Sequence, residues 1–244
     1  FTDLTMDEID TALGVVASGN FRWAATRNAA VVTSPPSLTS LGSASAAAGK
    51  PTRLRSGLGA ACSAISDSLK AAGLIFGAGE DHDAFVRTVI VSLATKRFVI
   101  LTGLSGSGKT QIAQQIGRWM GEGRRLLVPV RPDWTSPEAV LGYENVLART
   151  VDGRPAWSVP RTLEFMLRAA ADPARPYLMI LDEMNLAHVE RYFADVLSGI
   201  ESGEPILPDL DCGSDGVWGL RRDGSGLRPL PDNLFIVGTV NVDE

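Results

Sequence analysis

The chain has 244 residues, with 23 Lys and Arg against 28 Asp and Glu and a formal net charge of −5. That length holds one large domain or two small ones, and the charge excludes any general attraction to nucleic acid or to an anionic membrane surface. Lys96 and Arg97 interrupt the longest apolar candidate, Val89 to Leu101, so no run reaches membrane-spanning length, and Cys62 and Cys212 form no metal-spaced pair. The cysteine usage suits a reducing compartment, and the start at Phe1, with no secretory signal, fits a cytoplasmic chain that is a fragment or has been processed.

In chain order, Thr5-Met6-Asp7-Glu8 has the form of a capping box, and Ile9, Leu13 and Val16 follow at helical spacing until Gly19. Residues 20–32, with Phe21 and Trp23, read either as a strand or as an irregular packed segment. Residues 33–59 are dominated by Ser, Ala, Gly, Pro and Thr, the composition of a linker, in which Arg53 and Arg55 read as solvated cations. Helical composition returns from Ala60 to Ala72, so the chain divides into a segment over 1–32, a linker with a short helix over 33–72, and a nucleotide-binding unit over 73–244. Asp81 and Asp83 are expected to cap a helix with Phe85, Val86, Val89, Ile90 and Leu93 on its apolar face.

That helix leads into Arg97 to Leu101, a short apolar run with β character, and then into Gly103-Leu104-Ser105-Gly106-Ser107-Gly108-Lys109-Thr110 and a helix from Gln111 to Met120. A glycine-rich loop between strand and helix turns successive backbone N–H groups into one concavity, with the helix N-terminus behind them. Gly103, Ser105, Gly106, Ser107, Gly108, Lys109, Thr110 and Gln111 are thus the candidate phosphate-binding residues. Lys109 is expected on the β- and γ-phosphates and Thr110 on Mg²⁺. Leu126 to Val130 reads as a second strand, Glu138 to Leu141 as a short helix, Tyr143 to Val159 as a hairpin broken at Asp152-Gly153, and Arg161 to Ala171 as a helix. Strands alternating with helices imply an α/β fold with a parallel sheet.

Tyr177 to Leu181 is a continuous apolar run ending in Asp182-Glu183, the pattern of a central strand that delivers acids at its carboxyl end. Hydrolysis beside a phosphate loop needs a metal and an oriented water, so Asp182 is assigned to the Mg²⁺ shell and Glu183 to the general base. One helix is expected to follow, with Val189, Tyr192, Phe193, Val196, Leu197 and Ile200 as its core stripe. Residues 204–231 read as a long hairpin or surface insertion. Leu234 to Val240 is the next buried strand, and Asn241 at its end would place an amide near the γ-phosphate and the water. Asn185 reads as a site residue or a cap, and His82 and His188 as surface or capping residues.

Gly103 to Thr110, Ile180-Leu181-Asp182-Glu183-Met184-Asn185 and Val237-Gly238-Thr239-Val240-Asn241 resemble the Walker A, Walker B and sensor-one elements of AAA+ proteins, specifically the McrB-like branch, over roughly residues 73–244. The resemblance implies a three-layer P-loop domain that uses ATP or GTP with Mg²⁺ and assembles as a homo-oligomeric ring, commonly a hexamer. It also implies restriction or antiviral defence with an McrC-like nuclease subunit, DNA being engaged through other domains or the partner. The branch continues beyond sensor one with a fifth strand, arginine fingers and a helical lid, so this chain is expected to be a core without the lid. It also carries methionine before the sensor-one asparagine, where Val240 stands here. A MoxR- or dynein-related remodelling ATPase, or a nucleotide-dependent scaffold, would use the same motifs. Gly73 to Phe76 is the candidate base-contacting stretch.

Overall fold

The computed structural model describes residues 51–76, 80–222 and 226–242. The expected capping-box helix, the segment to Val32 and the linker up to residue 50 lie outside the described residues. The architecture is α/β around a parallel sheet of strands β1 (Phe98–Gly103), β2 (Arg125–Pro129), β5 (Tyr177–Asp182) and β10 (Leu234–Asn241), in the order β1-β10-β5-β2.

Alternation along the strands sends side chains to two separate cores. Leu178 and Ile180 of β5 join Phe235 and Val237 of β10 on one face. There they meet Ile112 and Ile116 of α3 (Lys109–Met120), Val86, Val89 and Leu93 of α2 (Glu80–Thr95), and Ile65 and Leu69 of α1 (Pro51–Ala71). Met179 and Leu181 with Leu234 and Ile236 face the other way. They pack on α4 (Glu138–Leu141), α5 (Arg161–Ala171), α6 (Val189–Tyr192) and α7 (Ala194–Ser202). A sheet covered on both faces explains why β5 and β10 read as unbroken apolar runs.

Two helix assignments differ from expectation. The helix anticipated from Ala60 begins at Pro51, inside the stretch read as linker, and proline at a first helical position costs nothing because its missing N–H has no intrahelical partner there. Ile65 and Leu69 carry α1 into the sheet-facing core, and the Asp83 carboxylate of α2 accepts from Lys70 Nζ at 2.8 Å and from the Ser66 hydroxyl. Asp83 therefore tethers α1 instead of capping: α2 starts at Glu80, so both Asp81 and Asp83 lie within it. The second difference follows the acids. The single helix expected there is a 3₁₀ turn (Met184–Leu186) followed by α6 and α7, broken at Phe193, which lets Tyr192 and Phe193 both be fully buried.

The region from 204 to 231 contributes β6 (Leu207–Pro208), β7 (Leu210–Cys212), β8 (Trp218–Leu220) and β9 (Leu227–Arg228). β7 and β8 form a hairpin that joins the hairpin of β3 (Tyr143–Arg149) and β4 (Pro155–Ser158) in a second, antiparallel sheet ordered β3-β4-β8-β7. Arg154 links the two hairpins: it bonds Asp152 on its own turn, Asp211 Oδ1 on β7 at 2.7 Å, and the carbonyl of Leu220 on β8. Buried Asn233 fixes the approach to β10, its amide donating to the carbonyls of Ala169, Asp172 and Arg175 at the end of α5.

Candidate nucleotide site

Parallel pairing brings the carboxyl ends of three strands to one edge of the sheet. Gly103 of β1 pairs with Asn241 of β10, and Gly238 of β10 with Leu181 of β5, one residue before Asp182. The loop Leu104–Ser107 is exposed at this edge, and Gly106 and Gly108 turn it with φ of 76° and 88°, values that side-chain-bearing residues rarely adopt. Gly108 then starts α3 with no side-chain cap, which leaves the first backbone N–H groups of the helix facing the loop. The Phe76 ring packs on Gly108, where an added Cβ would lie 3.3 Å from Phe76 Cε1.

Lys109 Nζ donates to the carbonyls of Gly103 at 2.8 Å and Leu104 at 2.6 Å and to Ser107 Oγ at 3.2 Å, so its ammonium is held inside the loop. The Thr110 hydroxyl donates to Asp182 Oδ1 at 2.6 Å, joining the start of α3 to the end of β5 across 72 residues of sequence. Glu183 follows in left-handed backbone conformation, φ 51° and ψ 50°, and is the one non-glycine residue with positive φ among the described residues. Its carboxylate Oε1 accepts from Asn241 Nδ2 at 3.1 Å. Asn185 Nδ2 donates to the Asn241 carbonyl at 3.3 Å, so Asn185 braces β10. The phenol of Tyr192, whose pKa burial pushes well above the ordinary tyrosine value, stays protonated and donates to the Met184 carbonyl at 3.0 Å.

Two hydrogen-bonded pairs, Thr110–Asp182 and Asn241–Glu183, thus meet at the adjacent acids, with Lys109 one residue from Thr110. Ser105 and Gln111 are exposed on the loop and on the first turn of α3. The converging donors, a threonine hydroxyl and an aspartate carboxylate, are hard oxygens of the kind Mg²⁺ takes when phosphates and waters complete its shell. Among the described residues no group of three or more His, Cys, Asp or Glu could cage a metal without such help.

Two features escape a reading of the residues alone. Thr239 sits behind the acids, its hydroxyl accepting the Glu183 N–H at 2.9 Å and donating to Asp182 Oδ1 at 2.8 Å. Its signal is its place two residues before Asn241, on the same face of β10. His82, expected as a surface or capping residue, is 1 % exposed: Nδ1 accepts the Phe76 N–H at 3.1 Å and the ring stacks on Phe76 at a centroid distance of 6.0 Å. It buttresses the aromatic residue over Gly108. His188 is exposed, pairing with Glu190 at 3.0 Å.

The chain is similar to a restriction-enzyme subunit. Over 165 residues, 64 % of this chain, it is 25 % identical to the type IV methyl-directed restriction enzyme EcoKMcrB subunit of Escherichia coli (strain K12). The match spans 33 % of that protein, so this chain corresponds to about a third of its relative's length. No family model matches the chain. No helix among the described residues is long and apolar enough to cross a membrane.

Proposed function

We propose that this chain is a nucleoside-triphosphate-hydrolysing AAA+ core, similar to McrB, acting as the motor subunit of a restriction or antiviral defence system in the cytoplasm. The observation that carries the reading is the meeting of the hydrogen-bonded pairs Thr110–Asp182 and Asn241–Glu183 at the sheet edge where the glycine loop ends. In this reading Lys109 exchanges its loop carbonyls for the β- and γ-phosphates of ATP or GTP, and the N–H groups around Gly106 to Thr110 cradle the β-phosphate. Thr110 and Asp182 hold Mg²⁺, which when bound supplies charge neutralisation on the phosphates. Glu183 takes the proton of the attacking water, and Asn241 aims the Glu183 carboxylate through the bond it already makes to Oε1.

The α1 helix belongs to the same unit, since its Ile65 and Leu69 share a core with Ile112 and Ile116 of α3. In the same reading, the resemblance of its motifs to the McrB-like branch implies assembly into a hexameric ring, pairing with an McrC-like nuclease subunit and engagement of DNA through that partner or other domains; the relative's description as a restriction-enzyme subunit supports the restriction role alone. The nuclease partner is the source of any cutting.

The deciding experiment compares ATP and GTP hydrolysis by the full-length protein, alone and with the product of a neighbouring nuclease gene, using Lys109→Ala as the blank and Glu183→Gln as the trap. Turnover above the blank that is lost in Glu183→Gln, while nucleotide binding is kept, is the expected result. No turnover above the blank, with or without the nuclease, refutes the motor reading. Turnover indifferent to every nuclease candidate refutes the restriction role and leaves the hydrolase.

A further inference from the structure

Residue Thr239 is buried at 1 % exposure, and both hydrogen-bonding capacities of its hydroxyl used here are directed at the two acids. A hydroxyl has one proton to give and lone pairs with which to accept. The proton goes to Asp182 Oδ1 at 2.8 Å, and a lone pair receives the Glu183 N–H at 2.9 Å. Resting on the nucleotide-site reading above, we infer that Thr239 is the positioning residue of the site, fixing the metal-side carboxylate and the base-side backbone relative to each other through one oxygen atom.

Three observations carry this. Glu183 is held in left-handed conformation, which is strained for a non-glycine residue and persists only where the surroundings over-determine it. The Thr239 hydroxyl takes up the amide of that residue, so it is the contact that holds the strained turn from the β10 side. Asp182 Oδ1, in turn, receives two hydroxyls, from Thr110 and Thr239. Thr110, at the start of α3, can offer a lone pair to Mg²⁺ while its proton stays on Asp182; Thr239, on β10, holds the same carboxylate oxygen from the other side. The residue two positions on, Asn241, then completes the control of Glu183 from the same strand face, at the carboxylate instead of the amide.

This arrangement separates two roles on one strand. Asn241 aims the tip of the Glu183 side chain, and Thr239 sets where its backbone begins. A hydrogen bond to a charged carboxylate contributes more than a neutral one, so removing the hydroxyl is expected to slow hydrolysis roughly 10- to 100-fold. Loss of the methyl group alone leaves both bonds intact.

The test uses the full-length chain with Thr239→Ser, Thr239→Ala and Thr239→Val. For each, steady-state hydrolysis, affinity for a fluorescent nucleotide with and without Mg²⁺, and thermal unfolding are measured. The expected result is that Thr239→Ser keeps its kcat within about threefold of wild type, whereas Thr239→Ala and Thr239→Val lose at least about tenfold. In Thr239→Ala and Thr239→Val, nucleotide affinity without Mg²⁺ stays at the wild-type value while the gain on adding Mg²⁺ shrinks. Comparing Ser with Ala holds the lost methyl constant, so it isolates the hydroxyl even if Thr239→Val folds poorly. Thr239→Ser as slow as Thr239→Ala, or Thr239→Val as fast as wild type, overturns the inference while leaving the nucleotide site standing. A wild-type chain no faster than Lys109→Ala overturns both.

Discussion

Replacing Gly238 by alanine puts a methyl group on β10 where the side chain of Met184 already lies. A Cβ there would fall well inside van der Waals contact of Met184 Sδ and 3.4 Å from its Cγ and Cε. Met184 is 1 % exposed and cannot move aside into solvent, and it directly follows Glu183. Overpacking of this kind costs about 1–3 kcal/mol, which for a domain of this size lowers the unfolding temperature by about 2–4 °C per kcal/mol. The functional cost should be larger, because the strand pushes on the residue next to the proposed base, and displacing a reacting group by about an ångström can cost on the order of a hundredfold in rate. Met184→Ala removes the obstacle at its own cavity cost of about 2–5 kcal/mol. The assay is a double-mutant cycle on thermal or urea unfolding, with hydrolysis measured on the same four proteins. Gly238→Ala combined with Met184→Ala should be more stable than the sum of the single effects by at least about 1 kcal/mol, with part of the lost hydrolysis recovered. Additive effects in stability would refute the claim that Gly238 exists to admit Met184.

Leu69→Ala empties a fully buried position on α1 and should destabilise the whole α/β unit by about 2–5 kcal/mol, read as one cooperative shift in urea unfolding; an unchanged midpoint would show α1 to be an appendage. Bonds to Arg154 and Thr150 hold the Asp152 carboxyl down from its ordinary 3.8 to about 2. Because the folded-state pKa lies below the unfolded one, this bond network stabilises fully above about pH 4 and its contribution is lost as pH falls through about 2. Acid unfolding followed by tryptophan fluorescence should therefore show a smaller loss between pH 4 and 2 in Asp152→Asn than in wild type, and parallel curves would count against the role of that carboxylate.

The parts of this fold that local chemistry dictates were readable residue by residue. Strand, glycine loop and helix from Phe98 to Met120 carry their own periodicity and turn residues, and the runs ending at Asp182 and Asn241 announce buried strands by continuous apolar character. What was not readable depends on partners distant in the chain. The start of α1 is rich in small residues and resembles a linker until Ile65 and Leu69 find the face of α3. The second sheet depends on Ala156 meeting Gly219, a pairing between two hairpins that neither segment encodes alone. His82 reads as polar and therefore exposed, yet its ring is buried where it stacks on Phe76 and its Nδ1 accepts the Phe76 N–H. A threonine in a β-strand is ordinary, so beyond its place two residues before Asn241 nothing local marks Thr239, whose hydroxyl receives the amide of a turn 56 residues away in sequence.

The three hydrogen bonds of the Lys109 ammonium set the terms on which the loop can take a guest. Under the proposed function, a phosphate arriving there meets a cation whose proton donors are already engaged, so each new contact is an exchange and not a net gain. Affinity then reflects the difference between phosphate oxygens and carbonyls as acceptors, a smaller quantity than the bare attraction of opposite charges. On departure the carbonyls take the ammonium back, so leaving strands no dry, unpaired charge in the loop. Such swapping, under the proposed function, loosens the hold on product and substrate alike, so release is eased while more triphosphate is needed to fill the loop.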